Sequence, residues 1–226
     1  MKFIKNIKAL RPIIRKLKIG SFEFRLNRNA LKRMQYAYIC FHAAKLGKKL
    51  GYKKISVIEY GVAGGQGLLI LEDHVKEIEK YFDIEIDIYG FDTGEGLPEP
   101  IDYRDLPYHW KKGFYSMNHD DLKNKLKKAK LVIGNIEDTS KTFFANHNPA
   151  PIGAVIHDFD FYSSTKTALT MMKKNEKYFL PRVFSYFDDT IGNELELYND
   201  YTGERLAINE FNKNINDIKI WIPYHL

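Results

Sequence analysis

The chain has 226 residues, 44% of them apolar and 28% charged, with a formal net charge of +6 and one cysteine, Cys40. Such a composition belongs to a soluble globular protein, and a lone cysteine excludes an internal disulfide or a four-cysteine zinc site. No apolar run approaches the roughly 20 residues of a membrane span and no continuous apolar core marks a secretory signal, so a reducing, cytoplasmic setting is expected.

Residues 1–54 carry 16 Lys and Arg against a single acid, Glu23, and the rest of the chain is net acidic. The charge divides the chain into a basic helical extension, residues 1–54, and a domain, residues 55–226. From Lys2 to Ile19 the apolar residues Phe3, Ile4, Ile7, Leu10, Ile13, Ile14 and Leu17 recur at helical spacing, with lysines and arginines on the other faces. Pro12 should split this stretch into two shorter helices. A basic amphipathic helix packs on its own domain or on a second subunit, which would make a homo-oligomer, or residues 1–19 lie on an anionic membrane surface. Nucleic acid is not expected as a partner, because the basic run has a single aromatic, Phe3, and no series of aromatics to stack on bases. Residues 29–50 read as a further helix.

Ile55–Ile58 is a short β-branched strand that runs into Glu59. Gly61, Gly64, Gly65 and Gly67 follow, and then an apolar helical repeat to about Phe82. Strand, glycine turn and helix together form a nucleotide-like ligand site, since the turn lets a ligand approach the backbone and the helix start offers free N–H groups. The glycines do not match the dinucleotide fingerprint, and no Lys-Ser or Lys-Thr follows as in a P-loop. An acid ahead of the glycines repels a pyrophosphate but suits an ammonium or sulfonium group, which favours S-adenosylmethionine over NAD.

A second strand, Ile84–Phe91, ends at Asp92, placed to accept from both hydroxyls of a ribose. Residues 93–119 lack periodicity and are rich in Tyr, Trp, Gly and Pro, which reads as an ordered lid. Then come a helix at 120–129, strands at Leu131–Ile133, Ile152–His157 and Val183–Phe187, a helix capped by Ser163, Ser164 or Thr165, a helix at 204–214 and a last strand, Ile218–Ile222. Strands alternating with helices imply a mainly parallel sheet covered on both faces. Its strand tips would gather Glu59, Asp92, Asp158, Asp160, Asp188 and Asp189 along one edge. So many carboxylates call for a cation. Asp158 with the pair Asp188-Asp189 could hold a hard divalent ion, and a carboxylate or His157 could accept a substrate proton. Asp158-Phe159-Asp160 also has the D-x-D form of a metal-dependent glycosyltransferase. A non-catalytic membrane-surface protein is the reading outside catalysis.

Glu59-x-Gly61-Val62, Gly90-Phe91-Asp92-Thr93-x-Glu95-Gly96-Leu97-Pro98, Glu137-Asp138-Thr139, Asp158-x-Asp160-x-Tyr162-x-Ser164-Thr165 and Asp188-Asp189 occur in an order that resembles the macrocin O-methyltransferase (TylF-like) family over residues 55–192. The resemblance implies a Rossmann-like class I methyltransferase with a seven-stranded type of sheet, using S-adenosylmethionine and Mg2+ to methylate a hydroxyl of a saccharide or glycosylated small molecule. It implies Asp158, Asp188 and Asp189 as metal ligands and Asp158 as the candidate base. Glu59 and Gly61 would contact the methionine part of the donor, Asp92 the ribose, and Asn135, Glu137 and Asp138 the adenine side, with Val62, Gly64, Thr93 and Asp158 also in the donor site. The chain departs from the family at Gly94, Phe159 and Leu180-Pro181-Arg182, where an aromatic, a small residue and a glycine pair are usual.

Overall fold

The computed structural model describes residues 10–190 and 199–222. Residues 10–16 are helical (α1) and pass through Pro12 without a break; the expected helix upstream lies outside the described residues. Helices α2 (Phe22–Asn27) and α3 (Met34–Lys49) precede strand β1 (Lys54–Tyr60). The order then runs α4 (Gln66–Phe82), β2 (Glu85–Asp92), α5 (His119–Lys125), β3 (Lys130–Ile133), α6 (Ile136–His147), β4 (Ile152–His157), α7 (Tyr162–Lys174), β5 (Phe179–Phe187) and α8 (Gly203–Asn214). No described helix is long and apolar enough to cross a membrane.

All strand pairs are parallel, in the order β3-β2-β1-β4-β5. Side-chain alternation along each strand divides the core between the two faces of the sheet. Ile55, Val57, Ile86, Ile88, Ala154 and Ile156 pack with Phe22, Leu26 and the inner sides of α3 and α4. Ile58, Tyr60, Tyr89, Phe91, Ile152 and Val155 pack with α6 and α7. Residues 22–46 therefore contribute to the same core as the first strand.

Two sequence expectations fail in the second half. The sheet has five strands among the described residues, not seven. The strand expected at Ile218–Ile222 is irregular chain, because the Asn212 side-chain amide pairs with the Ile220 backbone, donating to its carbonyl at 2.8 Å and accepting from its N–H at 2.8 Å. Conversely, α6 has no counterpart in the sequence reading. The Asn135 side-chain oxygen caps it by accepting from the Glu137 N–H at 2.9 Å, and Ile136, Phe143 and Phe144 are buried along it.

The register fixes where the strands end. Tyr60 lies beside Phe91 and His157, and His157 beside Phe187. The residues one step on, Gly61, Asp92, Asp158 and Asp188, therefore leave the sheet in one row at its carboxyl edge.

Candidate active site

The glycine turn is shaped by close contacts. Gly61 has φ +76°, and a Cβ there would lie 1.7 Å from the Asp158 carbonyl oxygen, so only glycine lets the first and fourth strand tips meet. Gly67, in the first turn of α4, faces Glu59 so closely that a Cβ would lie 1.9 Å from its Oε1. Asp92 pins the turn from the other side. Its Oδ2 accepts from the N–H groups of Val62 and Ala63, both at 2.9 Å, and its Oδ1 accepts from Gly94 N–H at 2.7 Å. A carboxylate has about four acceptor sites, so Asp92 keeps limited capacity for a ligand hydroxyl.

A cavity of about 410 Å³ opens over this edge, within the range of small-molecule sites. Of the residues singled out in the sequence, Gly61, Asp92, Thr93, Asn135, Asp158, Asp188 and Asp189 line it, together with Asp160. Glu59, Val62, Gly64, Glu137, Asp138 and His157 do not. Glu59 and Val62 are buried beneath the turn. Glu137 and Asp138 point outward from the first turn of α6, Asp138 pairing with Lys141 at 3.0 Å. His157 is the clearest correction. Alternation along β4 turns it into the core, where its ring stacks on Phe187 at 4.1 Å and 6°. Neither ring nitrogen has a partner among the described residues, and burial pushes its pKa down to about 3. A group in that setting cannot reach a substrate proton.

On the β4–β5 side the carboxylates crowd. Burial, reinforced by Asp188 and Asp189 and opposed by Arg33, raises the Asp158 pKa to about 7. Burial and mutual repulsion also raise Asp160 and Asp189. Asp189 accepts the Asp160 N–H at 2.9 Å through Oδ2, and Asp188 accepts the Tyr186 hydroxyl at 2.6 Å through Oδ1. Behind them Glu204, wholly buried at the start of α8, accepts the Asp189 N–H at 3.1 Å through Oε2. Its other oxygen has no partner among the described residues, and burial raises its pKa well above the usual range. This donor set matches a hard cation in charge and ligand type. In geometry it is not ready-made: no group of three or more His, Cys, Asp or Glu among the described residues is gathered to hold a metal ion.

Several site features escaped the sequence reading. Arg33 lines the cavity from the residue preceding α3. Its Nη1 donates to the Tyr36 hydroxyl at 2.9 Å, which in turn donates to Glu59 Oε1 at 2.9 Å. Glu59 is fully buried, and burial raises its pKa to about 8 despite the Tyr36 hydrogen bond. The segment read as a lid places Trp110 and Tyr115 along the cavity. It is fastened by Asp105, a buried carboxylate that accepts from Ile101 N–H, Ser163 N–H and the Ser163 hydroxyl at 3.0, 2.8 and 2.9 Å. The start of α7 is thus capped from the lid; its N-cap residue is Phe161, with no side-chain cap of its own. A larger groove of about 990 Å³ runs between α6 and α7, but it contains neither a strand tip nor the glycine turn.

Sheet order, glycine turn and acidic strand tips define a Rossmann-like α/β fold that the chain shares with methyltransferases of known structure. One is the crystal structure of CalS11, a calicheamicin methyltransferase. It is 19% identical over 92% of this chain and 84% of that one, with a TM-score of 0.60. Another is the apo structure of CalS11, described as a TDP-rhamnose 3'-O-methyltransferase of calicheamicin biosynthesis. It is 18% identical over 93% of this chain and 84% of that one, with a TM-score of 0.51. Neither a family model nor a curated protein matches the chain.

Proposed function

We propose that this chain is an O-methyltransferase that transfers a methyl group from S-adenosylmethionine to a hydroxyl of a saccharide or glycosylated small molecule. One observation carries the reading: Gly61, Asp92, Asp158 and Asp188 leave four adjacent strands in register and line one cavity. In an open parallel sheet the carboxyl edge is where such ligands bind. The donor supplies a methyl group on a positively charged sulfur. The acidic cavity favours that charge, Asp92 and Asn135 bound its nucleoside end, and Gly61 lets the ligand approach the backbone. A saccharide acceptor is supported by the fold shared with a TDP-rhamnose 3'-O-methyltransferase and by the rings of Trp110 and Tyr115, which offer flat apolar faces. Asp158, a carboxylate lining the cavity at the tip of β4, is the group placed to take the hydroxyl proton.

Mg2+ belongs to the same proposal. Asp158, Asp188 and Asp189 would hold it, and it would supply charge to lower the pKa of the acceptor hydroxyl. Calorimetry with S-adenosylhomocysteine tests the donor site: tight binding supports it, whereas binding of a UDP-sugar in its place would favour the glycosyltransferase reading of Asp158-Phe159-Asp160. EDTA and Asp188→Ala are expected to abolish transfer while donor binding survives. Normal methylation in EDTA would remove the metal from the proposal.

The basic extension fits an anionic membrane surface. Leu10, Ile13, Leu17 and Ile19 are 47, 51, 65 and 46% exposed. A second copy would bring like charges together, whereas each Lys or Arg near an anionic bilayer contributes about 1 kcal/mol. Co-sedimentation with anionic liposomes should be lost on deleting residues 1–20; sedimentation of both proteins alike would refute this.

A further inference from the structure

Five aspartates line the cavity, and Arg33 is the one Lys, Arg or His that does so among the described residues. A sulfonium amino acid carries two positive groups, which such a cavity attracts, and one carboxylate, which it repels. A donor of that kind needs a cation at the far end of its amino-acid chain. We propose that Arg33 is the carboxylate-binding residue for the methionyl end of the donor, held in position by Tyr36 and Glu59. The inference rests on the donor-site reading above and goes beyond it by assigning a residue outside residues 55–192, the stretch that carries the sequence resemblance.

The geometry supports this role over a purely structural one. Arg33 is joined by the Tyr36 hydroxyl to Glu59, one residue before the end of β1 and packed against Gly67 at the start of α4, so it stands at the methionine end of the site. Its backbone takes the left-handed conformation, φ 39° and ψ 66°, and its side chain makes no cap for α3. A non-glycine residue held there costs about 1 kcal/mol or more, which helix formation does not require. The residue is exposed to the cavity, and one of its five N–H donors is engaged by Tyr36. The planar fork that remains matches a carboxylate in two-point fashion. Glu59 holds the Tyr36 hydroxyl, and that hydroxyl fixes the direction of the fork.

Paired ligands read the effect directly. S-adenosylhomocysteine keeps the amino-acid carboxylate, and 5'-methylthioadenosine lacks the whole amino-acid end. By calorimetry, Arg33→Ala should weaken S-adenosylhomocysteine by about 10- to 100-fold, the range of a charge-assisted hydrogen bond, and change 5'-methylthioadenosine by less than about twofold. Arg33→Lys should fall between, since it keeps the charge and loses the fork. Retained binding of the second ligand shows that the variant's site is folded. Equal loss of both ligands, or loss of neither, overturns the role of Arg33 while leaving the donor site standing. Failure of the wild-type protein to bind either ligand overturns the donor site and this assignment with it.

Discussion

The two sides of the cavity satisfy their polar groups differently. On the β2 side, both Asp92 oxygens accept backbone N–H groups, Asn135 caps α6, and Thr93 donates to the Gly96 carbonyl at 2.6 Å while accepting from Glu95 N–H. On the β4–β5 side, the half-buried carboxylates of Asp158 and Asp160 crowd against Asp188 and Asp189, and Glu204 keeps one oxygen without a partner among the described residues. Saturated groups build a scaffold. Buried carboxylates left short of partners are kept at a cost in stability, which points to a role in binding or chemistry. The β2 side should therefore govern folding and donor affinity, and the β4–β5 side turnover.

The sharpest way to break that division is to neutralise one carboxylate on each side. Asp158→Asn should lower kcat about 10³-fold, within the range for removal of a general base, and leave S-adenosylhomocysteine binding nearly intact. Asp92→Asn should instead weaken that binding and lower the melting temperature, because an amide cannot accept three N–H groups with two oxygens. Comparable kcat losses with unchanged affinity in both variants would refute the contrast.

The next largest effect is on stability against pH. Glu59 and Asp158 have folded pKa values of about 8 and 7, raised above the unfolded values, so the fold binds their protons more tightly. Their contribution is complete below about pH 4 and is lost as pH rises through 7 and 8. His157 has the opposite sign: its folded pKa of about 3 is depressed, so its contribution is complete above about pH 6.5 and lost as pH falls. Above pH 6.5 only the carboxylates act. The melting temperature of the metal-free protein should therefore fall by roughly 5–10 °C between pH 6.5 and 8.5, several kcal/mol for a chain of this size. Glu59→Gln should remove part of that fall, and Mg2+ should reduce the part due to the β4–β5 side. A flat profile would mean that these carboxylates are not buried in the protein in solution.

Much of this was legible in the chain. Ile55–Ile58, Ile152–His157 and the alternation before Asp92 gave the strands their places, and strand tips in a parallel sheet fall on one edge. What stayed hidden was tertiary. Arg33 sits in a basic run and reads as solvated; only the fold brings it to the cavity. Glu204 looks like an exposed acid in the first turn of a helix. His157 precedes Asp158 directly, and β4 is apolar and buried on both faces, so no alternation in the sequence separates the last strand residue from the first residue of the site. The cap of α7 is supplied by Asp105, 58 residues away, which no local pattern of Ser and Thr can show.

That remote cap gives the third test. Asp105→Ala would leave the part-buried Ile101 and Ser163 N–H groups without their acceptor, at a cost of about 1–2 kcal/mol. Because the lid carries Trp110 and Tyr115, the variant should also raise the acceptor KM more than the donor KM. Chemical denaturation and initial rates read the two effects. Equal shifts in both KM values would mean that the lid does not serve the acceptor side.

The smallest effect concerns Gly64, which the resemblance places among the donor contacts. A Cβ at Gly64 meets nothing within 4 Å, its φ is not in the left-handed region, and it does not line the cavity. Gly61 in the same turn is barred from any side chain by the Asp158 carbonyl. Gly64→Ala should therefore change stability by less than about 0.5 kcal/mol, as for surface substitutions away from special features, and leave S-adenosylhomocysteine affinity unchanged. Gly61→Ala should disrupt both. Loss of affinity in Gly64→Ala with an unchanged melting temperature would mean that the bound donor presses on the turn at Gly64. The satisfied side of the cavity would then extend further round the glycine turn than its hydrogen bonds indicate.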